Sequence, residues 1–568
     1  MVRLGQRTAG FVAMALAVCL PAMAHGQTVS RALPSPQQLN PAQQPQAAPP
    51  QNRGGDLLAP PEHSACPMAD SPLTFTLTAV EFQGATAVKA KTLEGAYASL
   101  IGQTIKVAEI CAIRDRAADI FFRRGFLARV EIPEQRIAGG KLVLTVVEAR
   151  IAAVRVHGEA GAAQSKVEDY IEKLRGLTPF DLRTAERYLL LASDVPGMRI
   201  SAALRPSPQG RGAVDLDVTV TRQPVDMVVD AQNFGSQSLG PYGGLVRGDL
   251  NGVTRFGDRT TLVAYSTLFD DKQQVLQLVE EARVGSDGWL GRLSVAYGRT
   301  HPGANVAPLD LYGKSLVGSF EAVYPLWRSR RNNLNLTGGF DYVDQSTDFG
   351  SGGALNDDHL RILYGRADAD IRRFPFGREF DGHLDLQIRK GLEILGASRP
   401  GEAGLSRLQG RADALVFRAD GTATQQWTSL ISTEMAFEAQ YTDTPLLTYE
   451  QLAVGNLTIG RGYDPSSVTG DTGVSGTFEL RAGPIQPIQP LRWLNVQGYG
   501  FYDIAKSNNL NIGGENLTVR SAGGGLRFRL TQRVSLDIAY AHPFDKISAN
   551  AKSRPPDRAL VNLVSSFF

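Results

Sequence analysis

The sequence predicts a membrane-spanning antiparallel β-barrel of sixteen strands, preceded by an export signal, a Pro-rich linker and two small β-α-α-β-β units. Three observations carry that expectation. The N-terminus is built like a secretory signal, one order of elements recurs twice before residue 224, and helical periodicity disappears after Pro224 in favour of alternating residues.

Arg3 and Arg7 form a basic start, Ala9 to Leu20 a short apolar core, and Ala22-Met23-Ala24 a small-x-small cleavage site. The apolar run falls short of the roughly 18–20 residues that a spanning helix needs. Residues 1–24 are therefore assigned to a signal peptide cleaved after Ala24, which places the mature chain outside the cytoplasm. Of the three cysteines, Cys19 leaves with the signal. Cys66 and Cys111 remain, and an even pair in an oxidising compartment reads as a disulfide, with two free buried thiols as the alternative. Residues 25–72 form a linker whose richness in Pro, Gln and Ala prevents it from burying a core.

The first unit occupies residues 73–149. Phe75 to Phe82 alternates like a strand and ends at Gly84, and helices are expected at about 89–100 and 107–124. The second helix carries Ile110, Ile113, Ala117, Ile120 and Phe121 at helical spacing and stops at Gly125. Strands at 128–134 and 141–148 flank the Gly139-Gly140 turn. Residues 150–223 repeat the order: a strand at 151–157, helices at 164–175 and 181–193, the turn Pro196-Gly197, then strands at 198–205 and 212–221.

Residues 224–568 are assigned to the barrel. Leu384, Leu386 and Ile388 oppose His383, Asp385, Gln387 and Arg389, and Leu334, Leu336, Phe340 and Tyr342 oppose Asn335, Thr337 and Asp341. A barrel with lipid outside and water inside requires this alternation, which a soluble sandwich also displays. Sixteen candidate strands, starting near 225, 242, 258, 274, 291, 312, 331, 359, 380, 405, 426, 473, 491, 519, 533 and 558, favour closure. The last ends in Phe567-Phe568, and terminal Phe568 is the expected recognition signal for the outer-membrane assembly machinery.

Composition narrows the function. With 59 basic and 57 acidic residues the chain offers no polyanion-binding surface, so no nucleic-acid partner is expected. Phosphate-loop, His-Glu-x-x-His and Cys-x-x-Cys motifs are absent and the seven histidines are scattered, so no enzymatic activity, catalytic residue, cofactor or metal site is expected.

The longest expected gap between strands runs from about Thr442 to Thr472, and a loop of that length is uncommon without a function. It contains Gly460-Arg461-Gly462-Tyr463, in which two glycines free the backbone beside one cation, and Gly470-Asp471-Thr-Gly473. A solvated Arg on an extracellular loop is the plain reading of that spacing. These motifs resemble the loop shared by the Omp85 superfamily. Within it the chain resembles the transporters of two-partner secretion, the hemolysin activator and filamentous haemagglutinin transporter family (ShlB/FhaC/HecB). Gly460 stands where Val is usual. A second motif, Phe501-Tyr-Asp503-Ile-Ala505, resembles the family pattern in strand thirteen, with Ala505 in place of Gly.

The resemblance covers about residues 66–568 and implies that the two N-terminal units are POTRA domains in the periplasm below an outer-membrane barrel. It further implies that the loop folds into the lumen, where Arg461 pairs with Asp503, and it supports a Cys66–Cys111 bridge. The implied function is export of an unfolded hemolysin-like or adhesin-like exoprotein, a TpsA-type partner, which binds the POTRA domains and passes through the barrel. Other implied partners are outer-membrane lipids and, during biogenesis, the assembly machinery. An Omp85-type factor that inserts other barrels is the alternative, with a passive porin behind it. Some family members carry an N-terminal plug helix, and the Pro/Gln-rich stretch offers no helix long enough for one.

Overall fold

The structure is a computed structural model that describes residues 64–485, 494–510 and 514–567. The expected signal cleavage at Ala24, the linker as far as residue 63 and the terminal Phe568 lie outside the described residues.

Alternation after residue 224 resolves into one closed sheet of sixteen antiparallel strands. In chain order these are β1 (Val225–Gln232), β2 (Gly243–Asn251), β3 (Arg259–Thr267), β4 (Gln273–Val284), β5 (Trp289–Thr300), β6 (Leu311–Arg328), β7 (Asn332–Phe349) and β8 (Ala354–Arg373). They continue as β9 (Phe380–Gly391), β10 (Leu415–Gln426), β11 (Ile431–Tyr441), β12 (Thr472–Ile485), β13 (Asn495–Asn508), β14 (Leu517–Arg529), β15 (Val534–Pro543) and β16 (Arg558–Phe567). Each strand pairs with its chain neighbour, and β16 closes on β1 through Asn562↔Gln232 to Phe567↔Met227. Closure leaves no edge, which satisfies every backbone donor and acceptor that lipid would otherwise strand.

The barrel is inverted relative to a soluble protein. Leu262, Leu276, Leu278, Leu293, Leu386 and Ile388 are exposed on its outside, while Gln277, Glu281, Glu321, Asp341 and Arg389 are buried within. That distribution separates a lipid-embedded barrel from a sandwich, whose apolar face would be covered by a second sheet. Among the described residues no helix is long and apolar enough to cross a membrane.

The two N-terminal units share one sheet topology. In the first, Ala79–Gln83 runs parallel to the central Lys141–Glu148, which pairs antiparallel with Ala128–Glu131. In the second, Arg150–Gly158 runs parallel to Ala213–Arg222, which pairs antiparallel with Met198–Pro206. Helix α1 (Glu109–Arg124) lays Ile110, Ile113, Ala117, Ile120 and Phe121 into the first core, and Gly125 ends it at a φ of 93°. In the second unit α2 (Gln164–Glu172) packs beside α3 (Leu182–Ser193). Asp181 caps α3, accepting bonds from Arg183 N at 3.0 Å and Thr184 Oγ1 at 2.6 Å.

Several expected elements differ in detail. The strand expected at 75–82 is two, Thr74–Thr76 and Ala79–Gln83, because Leu77 turns into the core and the first piece pairs instead with Thr104–Lys106. The helix expected at 89–100 keeps α-geometry only over Ala90–Leu93 and continues as two tighter turns, Glu94–Ala96 and Ala98–Leu100. Strand β10, expected from 405, begins at Leu415. Cys66 and Cys111 form a disulfide with their Cα atoms 5.7 Å apart, tying the end of the linker to α1.

The second unit is docked on the near end of the barrel. The Asp194 carboxylate, just beyond α3, accepts both Arg328 Nε and Nη2 at 2.7 Å, and its carbonyl accepts Arg283 Nη2 at 2.6 Å. Lys166 of α2 donates to Gly285 O at 3.0 Å, and Arg187 of α3 to Pro325 O at 2.9 Å. These contacts join the helices to the ends of strands β4 and β6 and the turn after β4.

Candidate functional site

The segment between β11 and β12 leaves the far end of the barrel and folds back into the bore. It carries its own short hairpin, Leu452–Val454 paired with Val468–Gly470. Its apolar residues Leu452, Val454, Ile459, Tyr463 and Val468 are buried, so the loop packs as a small core inside a polar lumen.

At the tip, Gly460 has a φ of 126°, a conformation that residues with a Cβ avoid. Gly462 serves a different need: a Cβ there would sit 2.7 Å from Ser521 Cβ and 3.0 Å from Pro543 N, so only glycine lets the backbone lie against β14 and β15. Between them Arg461 reaches two strands, β12 and β13. Its backbone N donates to Asp503 Oδ2 at 2.8 Å, and Nη2 donates to Asp503 Oδ1 at 2.8 Å. Nη1 donates to Glu479 Oε2 at 2.7 Å and Nη2 to Thr477 Oγ1 at 2.7 Å. The guanidinium carbon lies 3.5 Å from the centroid of the Phe501 ring, a cation–π contact on its remaining open side. A planar fork with fixed donors suits this bidentate arrangement, and a lysine could not reproduce it.

The acceptors are themselves held. Asp503 also accepts Thr477 Oγ1 at 2.7 Å and Ser521 Oγ at 3.2 Å. Glu479 also accepts Arg481 Nε and Arg527 Nη1, each at 2.7 Å. The Tyr463 hydroxyl donates to Arg520 O at 2.8 Å and accepts Asp545 N at 3.1 Å. The Arg520 guanidinium holds the Asp545 carboxyl, on the loop after β15, below the usual carboxylate range. Asp464 takes Arg558 Nη1 at 2.6 Å, which connects the tip to β16.

The structure thus brings together Gly460, Arg461, Gly462, Tyr463, Phe501 and Asp503. The plain reading of Arg461 as a solvated cation does not hold, because its partners line the bore. Gly470 and Asp471 lie at the opposite end of the loop from the tip. Asp471 is fully buried and pairs with Arg407. Ala505 does not disturb the packing: its methyl is buried with Val454, Tyr463, Val468 and Val519. Sequence reasoning missed Glu479, Thr477 and Ser521 as partners of the tip. Their only sequence signal is a lumen-facing position on the strands next to Asp503, which many polar residues share. It also missed Arg389, Arg407, Arg418 and Glu450 at the base of the loop.

Comparison with known proteins identifies the family and the fold. Residues 210–528 match the family model described as haemolysin secretion/activation protein ShlB/FhaC/HecB, and residues 75–149 match the ShlB-type POTRA domain. The outer membrane transporter CdiB of Escherichia coli is 24% identical over 185 residues, 32% of this chain and 30% of that protein. CdiB from Escherichia coli O6:K15:H31 (strain 536 / UPEC) matches to the same extent. The sequence match therefore spans less than a third of those relatives' length. Among solved structures, CdiB from Escherichia coli superposes with a TM-score of 0.73 at 17% identity, covering 94% of this chain and 97% of that one. CdiB from Acinetobacter baumannii gives 0.63 at 16% identity, covering 93% and 96%. A Haemophilus ducreyi BamA lacking POTRA domains 1–3 gives 0.50 at 13% identity, covering 87% and 100%. These likenesses show the shared fold, and the family follows from the model that matches more than half of the chain. With its closed sixteen-stranded barrel and POTRA domains, the chain belongs to the haemolysin secretion/activation family ShlB/FhaC/HecB, with the barrel in the outer membrane and the POTRA domains in the periplasm.

Proposed function

We propose that this transporter exports an unfolded exoprotein of the hemolysin or adhesin kind by two-partner secretion. The observation that carries the proposal is a loop folded into the lumen and fastened there through Arg461 to Asp503 and Glu479. A passive pore has no need for such an element. The small POTRA sheets supply the first step, because each ends in strands paired on one side only: Ala79–Gln83 and Ala128–Glu131, then Arg150–Gly158 and Met198–Pro206. Such an edge accepts an extended segment through main-chain hydrogen bonds with little demand on sequence. The cargo then threads through the barrel past the displaced loop tip, and folding outside the cell biases the movement outward without bound nucleotide. A large β-helical exoprotein fits that sequence of steps.

The tip must be released by the arriving chain. Breaking a lumen-enclosed ion pair leaves an uncompensated charge at a cost of about 3–5 kcal/mol. A threading polypeptide offsets that cost with its own polar groups. The similarity to BamA supports a second reading, an assembly factor that inserts other barrels. One experiment separates the two: deletion of the gene, with the proteins of the culture medium and of the outer membrane compared. Loss of one large secreted protein with an unchanged outer membrane is the expected result. Depletion of many outer-membrane proteins would instead identify an assembly factor.

A further inference from the structure

The base of the loop holds a second set of buried charges, on other strands than those that hold the tip. Glu450 lies in the turn Thr448–Glu450 that precedes the loop hairpin. Its carboxylate accepts Arg389 Nε at 3.0 Å and Nη2 at 2.8 Å from β9, and Arg418 Nη2 at 3.4 Å from β10. Arg389 Nη2 also donates to Asp341 of β7 at 2.9 Å. The side chains of Arg389 and Glu450 are each only 6% exposed, against 19% for Arg461 at the tip. Two guanidinium groups face two carboxylates, so the cluster is neutral as a whole.

The two ends of the loop are joined beside this cluster. Gln440 Nε2 donates to Glu450 O at 2.9 Å and to Asp471 O at 3.0 Å. The Asp471 carboxylate accepts Leu446 N at 3.0 Å, Leu510 N at 2.8 Å and Gln451 Nε2 at 3.2 Å, and Arg407 binds both its oxygens. The loops that follow β9, β11 and β13 thus meet at one carboxylate. The tip partners Thr477, Glu479, Asp503 and Ser521 stand on β12, β13 and β14 and take no part in this cluster. Between the two fastenings lies Gly455, whose φ of 154° and close approach to Asp464 O mark a bend beyond the hairpin.

We infer that the loop has two independent fastenings, and that Glu450 with Arg389 and Arg418 forms the fixed one, a hinge base about which residues 456–466 swing when Arg461 lets go. Glu450 and Arg389 are then positioning residues, which keep the loop docked while its tip opens. The inference rests on the transport reading only for the purpose of the swing. The mechanics stand apart from it: charge clusters with no shared partner release separately, and the deeper cluster is the more expensive to break.

Hydrogen exchange of the full chain in lipid nanodiscs tests this without any cargo. In the unmodified protein, amides of 446–454 are expected to stay protected longer than those of 456–466. Arg461→Ala should speed exchange in 456–466 by about tenfold or more and leave 446–454 unchanged, whereas Glu450→Gln should release 446–454. Equal loss of protection in both segments on Arg461→Ala would overturn the inference, as would unchanged exchange of 446–454 in Glu450→Gln. Should Glu450→Gln fail to assemble, the unmodified protein and Arg461→Ala still decide the matter. Cargo release is scored separately, so normal secretion beside the expected exchange pattern would retain the hinge and remove the transport reading of the loop.

Discussion

Arg461 is surrounded so completely that its neighbours predict how it fails. Replacing it by alanine leaves the buried Asp503 without a cation while Glu479 keeps Arg481 and Arg527, a loss of about 3–5 kcal/mol. Arg461→Ala, Asp503→Ala and the double variant, unfolded by denaturant in detergent, should show a coupling of about 1–3 kcal/mol between the two residues. Additive losses would mean that the pair does not act as a unit. Gly462→Ala should impair seating of the tip although it alters no charge, because its methyl would meet Ser521 and the backbone of Pro543. Both glycines, the Arg and the Asp are conspicuous in the sequence, since such a run has few other uses. Glu479, Thr477 and Ser521 are not. A water-facing barrel wall is polar along its whole length, and only three-dimensional register singles out the residues opposite Arg461.

At the scale of elements, strand order in the two N-terminal units follows from alternation and turn chemistry, and the exceptions have local causes. Leu77 breaks the first strand because burying it in the core outweighs continuing the ladder. Strand β10 starts ten residues later than expected, and in the stretch before it Arg407 is drawn to Asp471 and Leu408 is left exposed. The Cys66–Cys111 bridge spans 45 residues, for which loop-closure entropy gives about 4 kcal/mol. Reduction should therefore expose the first POTRA domain to protease while the barrel stays resistant, as digestion followed by mass spectrometry would reveal. At the other junction, Asp194→Ala removes the doubly bonded partner of Arg328 and should loosen the second POTRA domain from the barrel. The expected loss is about 1.5–3 kcal/mol for charged hydrogen bonds, read as faster exchange in α3 with the barrel unchanged.

For the whole molecule, the solvent decides which face is which. Leu386 and Gln387 are neighbours on β9, yet only the former is exposed to lipid. Leu386→Arg should cost about 2–4 kcal/mol of barrel stability, whereas Gln387→Arg in the wet interior should cost much less, measured by folding into lipid vesicles. Alternation makes this architecture legible in the sequence, because a period of two with both faces satisfied has few solutions in an exported chain. It could not reveal that two separate charge clusters hold the loop, since pairing across a bore depends on strands far apart in sequence.

Export by this barrel requires that its lumen be occupied by a loop held through Arg461. Conductance of the purified protein in planar bilayers, recorded beside Arg461→Ala, addresses that claim most directly. The unmodified protein should form discrete channels of low and fluctuating conductance, and Arg461→Ala should dwell longer in a wider state. Indistinguishable traces from the two proteins would contradict it.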